Sequence, residues 1–148
     1  MSIARWLHLL GVVVWVGGMF FAHMALRPSA QALPPPQRLP LLAATLSRFL
    51  DWVGVAVGVI LASGTAMIVL MGGFRAVNGS VHTMTALGIV MMLIYGHIKF
   101  GHLRRLRAAV AAGEWEVGGA AMGQVRKLIA VNLALGLATL TIAVLGRG

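Results

Sequence analysis

The chain has 148 residues, of which 59% are hydrophobic and 10% are charged, and its net charge is +9 at pH 7. Soluble domains usually have about a quarter of their residues charged, so this composition and a mean hydropathy of +0.92 indicate an integral membrane protein. The absence of cysteine excludes thiolate ligation, iron–sulfur clusters and disulfides.

Four apolar stretches predict four membrane-crossing helices. We expect the spans to cover about residues 4–26, 46–73, 81–102 and 126–146, because each is long enough to cross a hydrocarbon core of about 30 Å. Little of the chain remains outside these spans, so residues 1–148 are expected to form a single domain. The predicted fold class is therefore all-α integral membrane, with a four-helix transmembrane bundle.

The segments between the spans carry turn-forming residues. Arg27-Pro28, Pro34-Pro35-Pro36 and Pro40 predict that no continuous helix joins the first two spans. The stretch from Gly72 to Ser80 predicts a short turn. Leu103 to Val125 is predicted to be a longer polar connection with partly helical character.

The basic residues predict the orientation in the membrane. All but three of the twelve Lys and Arg residues fall on the side of the first and third connections: Arg27, Arg38, Arg48, Lys99, Arg104, Arg105, Arg107, Arg126 and Lys127. Because positive loops stay in the cytoplasm, we expect both chain termini outside it, in a multi-pass protein of the bacterial inner membrane. Anionic lipid headgroups or cofactor carboxylates are the expected partners of this charge, rather than nucleic acid.

Four histidines in apolar surroundings share one spacing. His8 and His23 lie fifteen residues apart, and so do His82 and His97. Fifteen helical residues rise roughly 22 Å, and the first and third spans run in the same direction, so His8 is expected at the depth of His82 and His23 at that of His97. The equal offset of the two pairs suggests two helical hairpins related by a pseudo-twofold axis.

Paired imidazoles on facing helices can ligate haem iron, and ionisable residues inside a membrane indicate a functional site. The four histidines therefore predict one or two b-type haems, held by His8 with His82 and by His23 with His97. A porphyrin also needs small residues beside its rings, an apolar filler between them and cations for its propionates. The candidates are Gly18 and Gly96 for close approach, Trp15 between the layers, and Arg5, Arg48, Lys99 and Arg104 for the propionates.

Copper is the alternative metal, because nine methionines offer thioether donors that suit Cu(I) and imidazole also binds copper. His102 lies about 140° around a regular helix from His97 and is expected to be an interfacial residue. Asp51 is expected to pair with Arg48 at the membrane surface. Asn132 is expected to make a polar contact at a similar depth.

Several short motifs resemble known membrane families. Trp6-Leu7-His8-Leu9-Leu10-Gly11, Trp15-Val16-Gly17-Gly18-Met19-Phe20-Phe21 and Leu26-Arg27-Pro28 resemble the opening of CopD-type copper resistance proteins, and Ser63-Gly64-Thr65 is similar to their second helix. The stretch from His82 to His97, continuing through Lys99, Gly101 and Arg104, resembles both this family and the related HemJ-type protoporphyrinogen oxidase, which binds b-type haem. The resemblance implies a four-helix membrane core in which His8 and one or both third-span histidines are functional.

The chain departs from the HemJ-type pattern in ways that weigh against porphyrinogen oxidation. Arg5 and Met84 stand where that family has lysines, and Arg126-Lys127 stand near the place of its Arg-Phe-Asn-Glu-like motif. His23 is additional to the pattern, which makes the chain similar to diheme transmembrane cytochromes b.

These observations predict a b-type haem protein that transfers electrons, with a quinone or a soluble redox protein as partner and with homo-oligomerisation left open. Whether the protein is an enzyme also stays open; if it is one, we expect a membrane oxidoreductase. A copper-binding or copper-transport membrane protein is the first alternative. An enzyme like protoporphyrinogen oxidase is the second.

Overall fold

The computed structural model describes residues 1–146, which fold into four long helices. They are α1 (Ser2–Ala30), α2 (Pro35–Leu70), α3 (Gly79–Ala112) and α4 (Trp115–Leu145). All four are long and apolar enough to cross a membrane, and the described residues contain no β-strand. The prediction of an all-α four-helix membrane bundle is confirmed.

Local sequence sets the two ends of α3. The side chain of Asn78 accepts a hydrogen bond from the Val81 N–H at 3.2 Å and caps the first turn. At the other end Gly113 takes a left-handed conformation with φ of +69°, and the Glu114 N–H donates to the Ala109 carbonyl at 2.9 Å. The connection to α4 is therefore a tight turn, and nearly all of the predicted polar connection is helical.

α1 and α2 both extend into the proline-rich segment that separates them. Pro35 and Pro36 occupy the first positions of α2, where a backbone N–H has no helical partner to lose. Pro40 lies inside α2 and removes only the hydrogen bond to the Pro36 carbonyl near the start of the helix. Pro28 is likewise inside α1. The prediction that no continuous helix joins the first two spans is confirmed, because residues 31–34 lie outside the helices, although Pro28 and Pro40 lie within them.

Three π-helical turns interrupt the regular α-helical geometry. Two lie in α1, at Val13–Gly17 and Ala22–Leu26, and one lies in α3, at Ile98–His102. Hydrogen bonds in a π turn join residues five apart, so such residues come to lie above one another. Each turn therefore changes the helix face on which the following side chains lie.

The charged residues of α2, α3 and α4 all lie at one end of the bundle, which we call the basic end and define as residues 22–51 and 97–127. The opposite end, here the His8 end, comprises residues 2–10, 64–82 and 137–146. At 1.5 Å per residue the 36 residues of α2 extend about 54 Å, well beyond the hydrocarbon thickness of about 30 Å. Leu39, Leu46 and Leu106 are almost fully buried, so the part that extends beyond the membrane at the basic end is a packed helical bundle.

The helices are arranged as two antiparallel hairpins. α1 packs along α2 and α3 packs along α4, whereas α1 makes little backbone contact with α3. The hairpins meet mainly at the centre and at the basic end, and no residue in 64–70 or 79–90 is buried. At the His8 end, Ser80 Oγ donates to the Gly146 carbonyl at 2.9 Å within the α3–α4 hairpin. α1 and α3 therefore lie on a diagonal of the bundle.

Glycines allow α1 and α2 to approach closely. A Cβ atom at Gly11 would press on the Ile60 side chain, and one at Gly18 would overlap the Phe49 ring. Small residues commonly serve this purpose between membrane helices, because lipid supplies no hydrophobic force that drives helices together.

Gly18→Ala is expected to lower the free energy of unfolding by about 1–3 kcal/mol, because the new methyl group overpacks against Phe49. Gly17→Ala is the matched control, since nothing lies within 4 Å of its Cβ position. Alanine has a greater helix propensity than glycine, so Gly17→Ala should leave the free energy of unfolding unchanged or raise it by up to about 1 kcal/mol. Reversible unfolding in detergent micelles measures both values, and equal stability of the two variants would contradict the described interface.

Candidate functional site

His8 is held between α1 and α2 by a hydrogen bond to a buried serine. Its Nδ1 lies 3.1 Å from Ser63 Oγ, and Ser63 Oγ donates its only proton to the Val59 carbonyl at 2.6 Å. When the serine hydrogen is donated to Val59, the serine oxygen accepts from His8, and this assignment places the hydrogen on Nδ1 and the lone pair on Nε2. The contact thus fixes which nitrogen is free to bind a ligand.

Gly64 provides the second contact that orients this ring. A Cβ atom at Gly64 would lie 3.3 Å from Cε1 of His8, so the glycine gives the imidazole room against α2. The ring is positioned by a hydrogen bond on one atom and by close packing on another. Histidines that bind metals are oriented in the same way by a hydrogen bond on the nitrogen opposite the metal.

His82 lies apart from His8. It is exposed, and its ring contacts the ring of Phe74 in the turn between α2 and α3, with centroids 5.9 Å apart. His8 packs on α2, and α1 and α3 are diagonal in the bundle, so the structure does not bring the predicted His8–His82 pair into contact.

His97 contacts His102 rather than His23. The two rings meet edge to face with centroids 4.9 Å apart. A regular α-helix would place these residues about 140° apart, but the π turn Ile98–His102 brings residues five apart together. Sequence reasoning missed this pair because the π turn leaves no trace in the hydrophobic periodicity, and the five-residue spacing was the only signal.

His23 lines a small cavity between α1, α2 and α4, together with Leu42, Met122 and Arg126. Its Nδ1 is buried and has no hydrogen-bond partner among residues 1–146. No hydrogen bond or ring contact within the described part of the chain joins any two of His8, His23, His82 and His97. Their assignment as iron ligands stays a prediction.

Two of the three predicted ring-lining residues, Trp15 and Gly18, lie against protein side chains. Trp15 is 3% exposed, and its ring meets the Tyr95 ring edge to face with centroids 6.3 Å apart. Gly18 lies against Phe49. Nothing lies within 4 Å of a Cβ position at Gly96. The predicted propionate cations are divided between the ends: Arg5 is exposed at the His8 end, whereas Arg48, Lys99 and Arg104 lie at the basic end.

An ion pair joins α2 to α3 at the basic end. Lys99 Nζ lies 3.1 Å from Asp51 Oδ1, so the prediction that Asp51 pairs with Arg48 was wrong. Lys99 reaches Asp51 from the neighbouring helix, and Tyr95 Oη, one turn earlier on α3, donates to the Leu50 carbonyl at 3.1 Å. These two contacts hold α2 and α3 at one level along the bundle.

Asn132 is the buried polar residue of α4. It is 1% exposed, and its Nδ2 donates to the Met91 carbonyl at 3.2 Å. The contact joins α4 to α3 near the centre of the bundle.

The contacts of His8 and of the His97–His102 pair define two candidate imidazole sites for a metal ion. Residues 1–146 contain no group of three His, Cys, Asp or Glu side chains that could hold a metal. His8 offers one free nitrogen at its own end of the bundle, and the His97–His102 pair offers two rings at the basic end. Such sites suit a metal that accepts few ligands and combines imidazole with thioether donors.

The sequence model of one protein family, described as CopD, copper resistance protein D, matches residues 43–145. The match covers more than half of the chain and includes α2 from Ala43 onward, together with the whole of α3 and α4. No curated protein and no solved structure matches the chain.

Ser63→Ala is expected to abolish the preference of His8 for the tautomer with hydrogen on Nδ1, because the accepting oxygen is removed. Nitrogen-15 NMR of histidine-labelled protein reports which ring nitrogen carries the hydrogen. Thr65→Ala is the control, because it removes an exposed hydroxyl from the same helix, and it should leave the His8 signals unchanged. A wild-type protein with hydrogen on Nε2 of His8 would contradict the assignment of Ser63 as the acceptor in this hydrogen bond.

Proposed function

The chain belongs to the CopD family, and from this premise we propose that it is a membrane protein that binds Cu(I) and carries it through the membrane. The observation that supports the proposal best is the oriented imidazole of His8, with Nδ1 engaged by Ser63 and Nε2 free. Copper is the transported ion in this proposal.

His8 is the proposed ligand at its end of the bundle. A hydrogen bond on one ring nitrogen fixes the tautomer and the ring orientation, and it raises the basicity of the other nitrogen toward a metal. Nε2 makes no hydrogen bond to residues 1–146, so it can bind an ion without breaking a protein contact.

Met67 is the proposed second donor at this site. The His8 ring contacts Ser63 and Gly64, and Met67 follows these residues by four and three positions on α2. Residues three and four apart lie on the same helix face, so Met67 lies one turn further toward the His8 end on the face that packs against α1. Thioether and imidazole together select Cu(I) among the available metals.

The pair His97 and His102 is the proposed second site. It lies at the basic end, so the two sites lie at opposite ends of the bundle. His82 lies at the His8 end of α3, and the fifteen helical residues from His82 to His97 span about 22 Å along the bundle. Between the two ends the thioethers of Met19 and Met91 are buried in the core. Sites at both ends fit a protein that takes up an ion on one side and releases it on the other.

The haem hypothesis has less support than this copper alternative. The family model that matches the chain is described by copper resistance, and its description names no haem. Trp15, the predicted filler between the rings, contacts Tyr95, and Gly18, the predicted place of close approach, lies against Phe49.

We expect the purified, reduced protein to bind two Cu(I) ions in competition with a chromogenic copper chelator. His8→Gln should remove one equivalent and His102→Gln the other, because each variant loses an imidazole from a different site. His82→Gln is the matched control and should retain both. Ser63→Ala should weaken the first site about 10- to 100-fold, which is the usual cost of losing a hydrogen bond that orients a metal ligand.

Met67→Leu should also weaken copper binding at the His8 site. Met71 follows the end of α2 and is 39% exposed, so Met71→Leu should leave copper binding unchanged. Unchanged binding of two ions by His8→Gln would contradict the proposal. Loss of an equivalent in His82→Gln with retention in His102→Gln would favour the predicted histidine layers instead.

A further inference from the structure

A pocket opens between α2 and α3 at the basic end, and no histidine is among the residues that line it. Its volume is about 530 Å³, within the range of pockets that bind small molecules. The lining side chains include Ser47, Asp51, Lys99, Phe100, Arg104 and Arg107.

Positive charge exceeds negative charge in this pocket. Its only acidic side chain, Asp51, is already paired with Lys99 at 3.1 Å. Arg104 and Arg107 lie on one face of α3, three residues apart, and make no ion pair within residues 1–146. Two guanidinium groups without a carboxylate partner favour an anionic ligand with several oxygens.

Ser47 adds a hydroxyl to the pocket. Its Oγ is buried and has no hydrogen-bond partner in the described part of the chain. A buried hydroxyl without a partner costs free energy, and a rotation of the Ser47 side chain into the pocket would let a ligand oxygen accept its hydrogen bond. This observation is independent of the charge and points to the same kind of ligand.

The surroundings place the pocket at the membrane surface. Before Lys99, α3 has no Lys, Arg, Asp or Glu from Gly79 to Ile98, whereas several cations follow it. Trp52 is 66% exposed beside Asp51, and Phe100 is 69% exposed and lines the pocket. Aromatic side chains concentrate at the boundary between hydrocarbon and headgroups. The pocket thus has a cationic side toward water and an aromatic side toward lipid.

We propose that this pocket binds the phosphate of an anionic phospholipid. Arg104, Arg107 and Lys99 face the phosphate oxygens, Ser47 donates a hydrogen bond, and an acyl chain packs on Phe100. Basic pockets between membrane helices bind such headgroups. Inorganic phosphate shares the anionic chemistry but has no apolar part for Phe100, and the exposed ring therefore favours the lipid.

Native mass spectrometry of the detergent-purified protein with phosphatidylglycerol or phosphatidylcholine tests the proposal. The wild-type protein is expected to retain phosphatidylglycerol and not phosphatidylcholine, and the double variant Arg104→Gln with Arg107→Gln should retain at least about tenfold less. The matched control, Arg105→Gln with Lys127→Gln, removes two exposed cations of the same end outside the pocket and should bind as the wild type does.

Ser47→Ala, which leaves every charge in place, should also weaken lipid retention, and helicity by circular dichroism verifies that each variant is folded. Phe100→Ala should weaken retention of phosphatidylglycerol. Equal retention by the two double variants would overturn the proposal. Displacement of the lipid by millimolar inorganic phosphate, with no effect of Phe100→Ala, would also overturn it and identify a free phosphate site.

Discussion

The close contact between α1 and α2 is the constraint on which the candidate site depends. Lipid tails are as apolar as leucine, so membrane helices associate through close packing and polar contacts rather than through the hydrophobic effect. Gly11 and Gly18 bring α1 onto Ile60 and Phe49, and Gly64 admits the His8 ring. The packing that joins the helices therefore also sets the position of the imidazole, and the hydrogen bond to Ser63 sets its tautomer.

The four helices were predictable from sequence, because an apolar run long enough to cross the bilayer can satisfy its backbone only as a helix. The spacing of the histidines was enough to predict their depth along the bundle. It was not enough to predict which neighbouring helix each histidine contacts. Depth depends only on the rise per residue, whereas facing depends on the order of the helices around the bundle. α1 and α3 lie on a diagonal, and the Trp15–Tyr95 contact occupies the centre between them.

A π turn explains the unpredicted contact between His97 and His102. Periodicity arguments assume 3.6 residues per turn throughout, and an inserted residue rotates every following side chain. For this reason His97 meets His102 and not the residues predicted from a regular helix. The Lys99–Asp51 pair was also beyond sequence reasoning, because its partners come from different helices and a nearer cation, Arg48, was available along the chain. Pro40 is tolerated because it lies near the start of α2.

The central claim is that this CopD family member handles copper through separate imidazole sites rather than through stacked haems. The most direct test is the metal content and the reduced-minus-oxidised optical spectrum of protein purified from copper-supplied cells. We expect copper at up to two ions per chain and no b-type absorption. Stoichiometric b-type haem without copper would contradict the account.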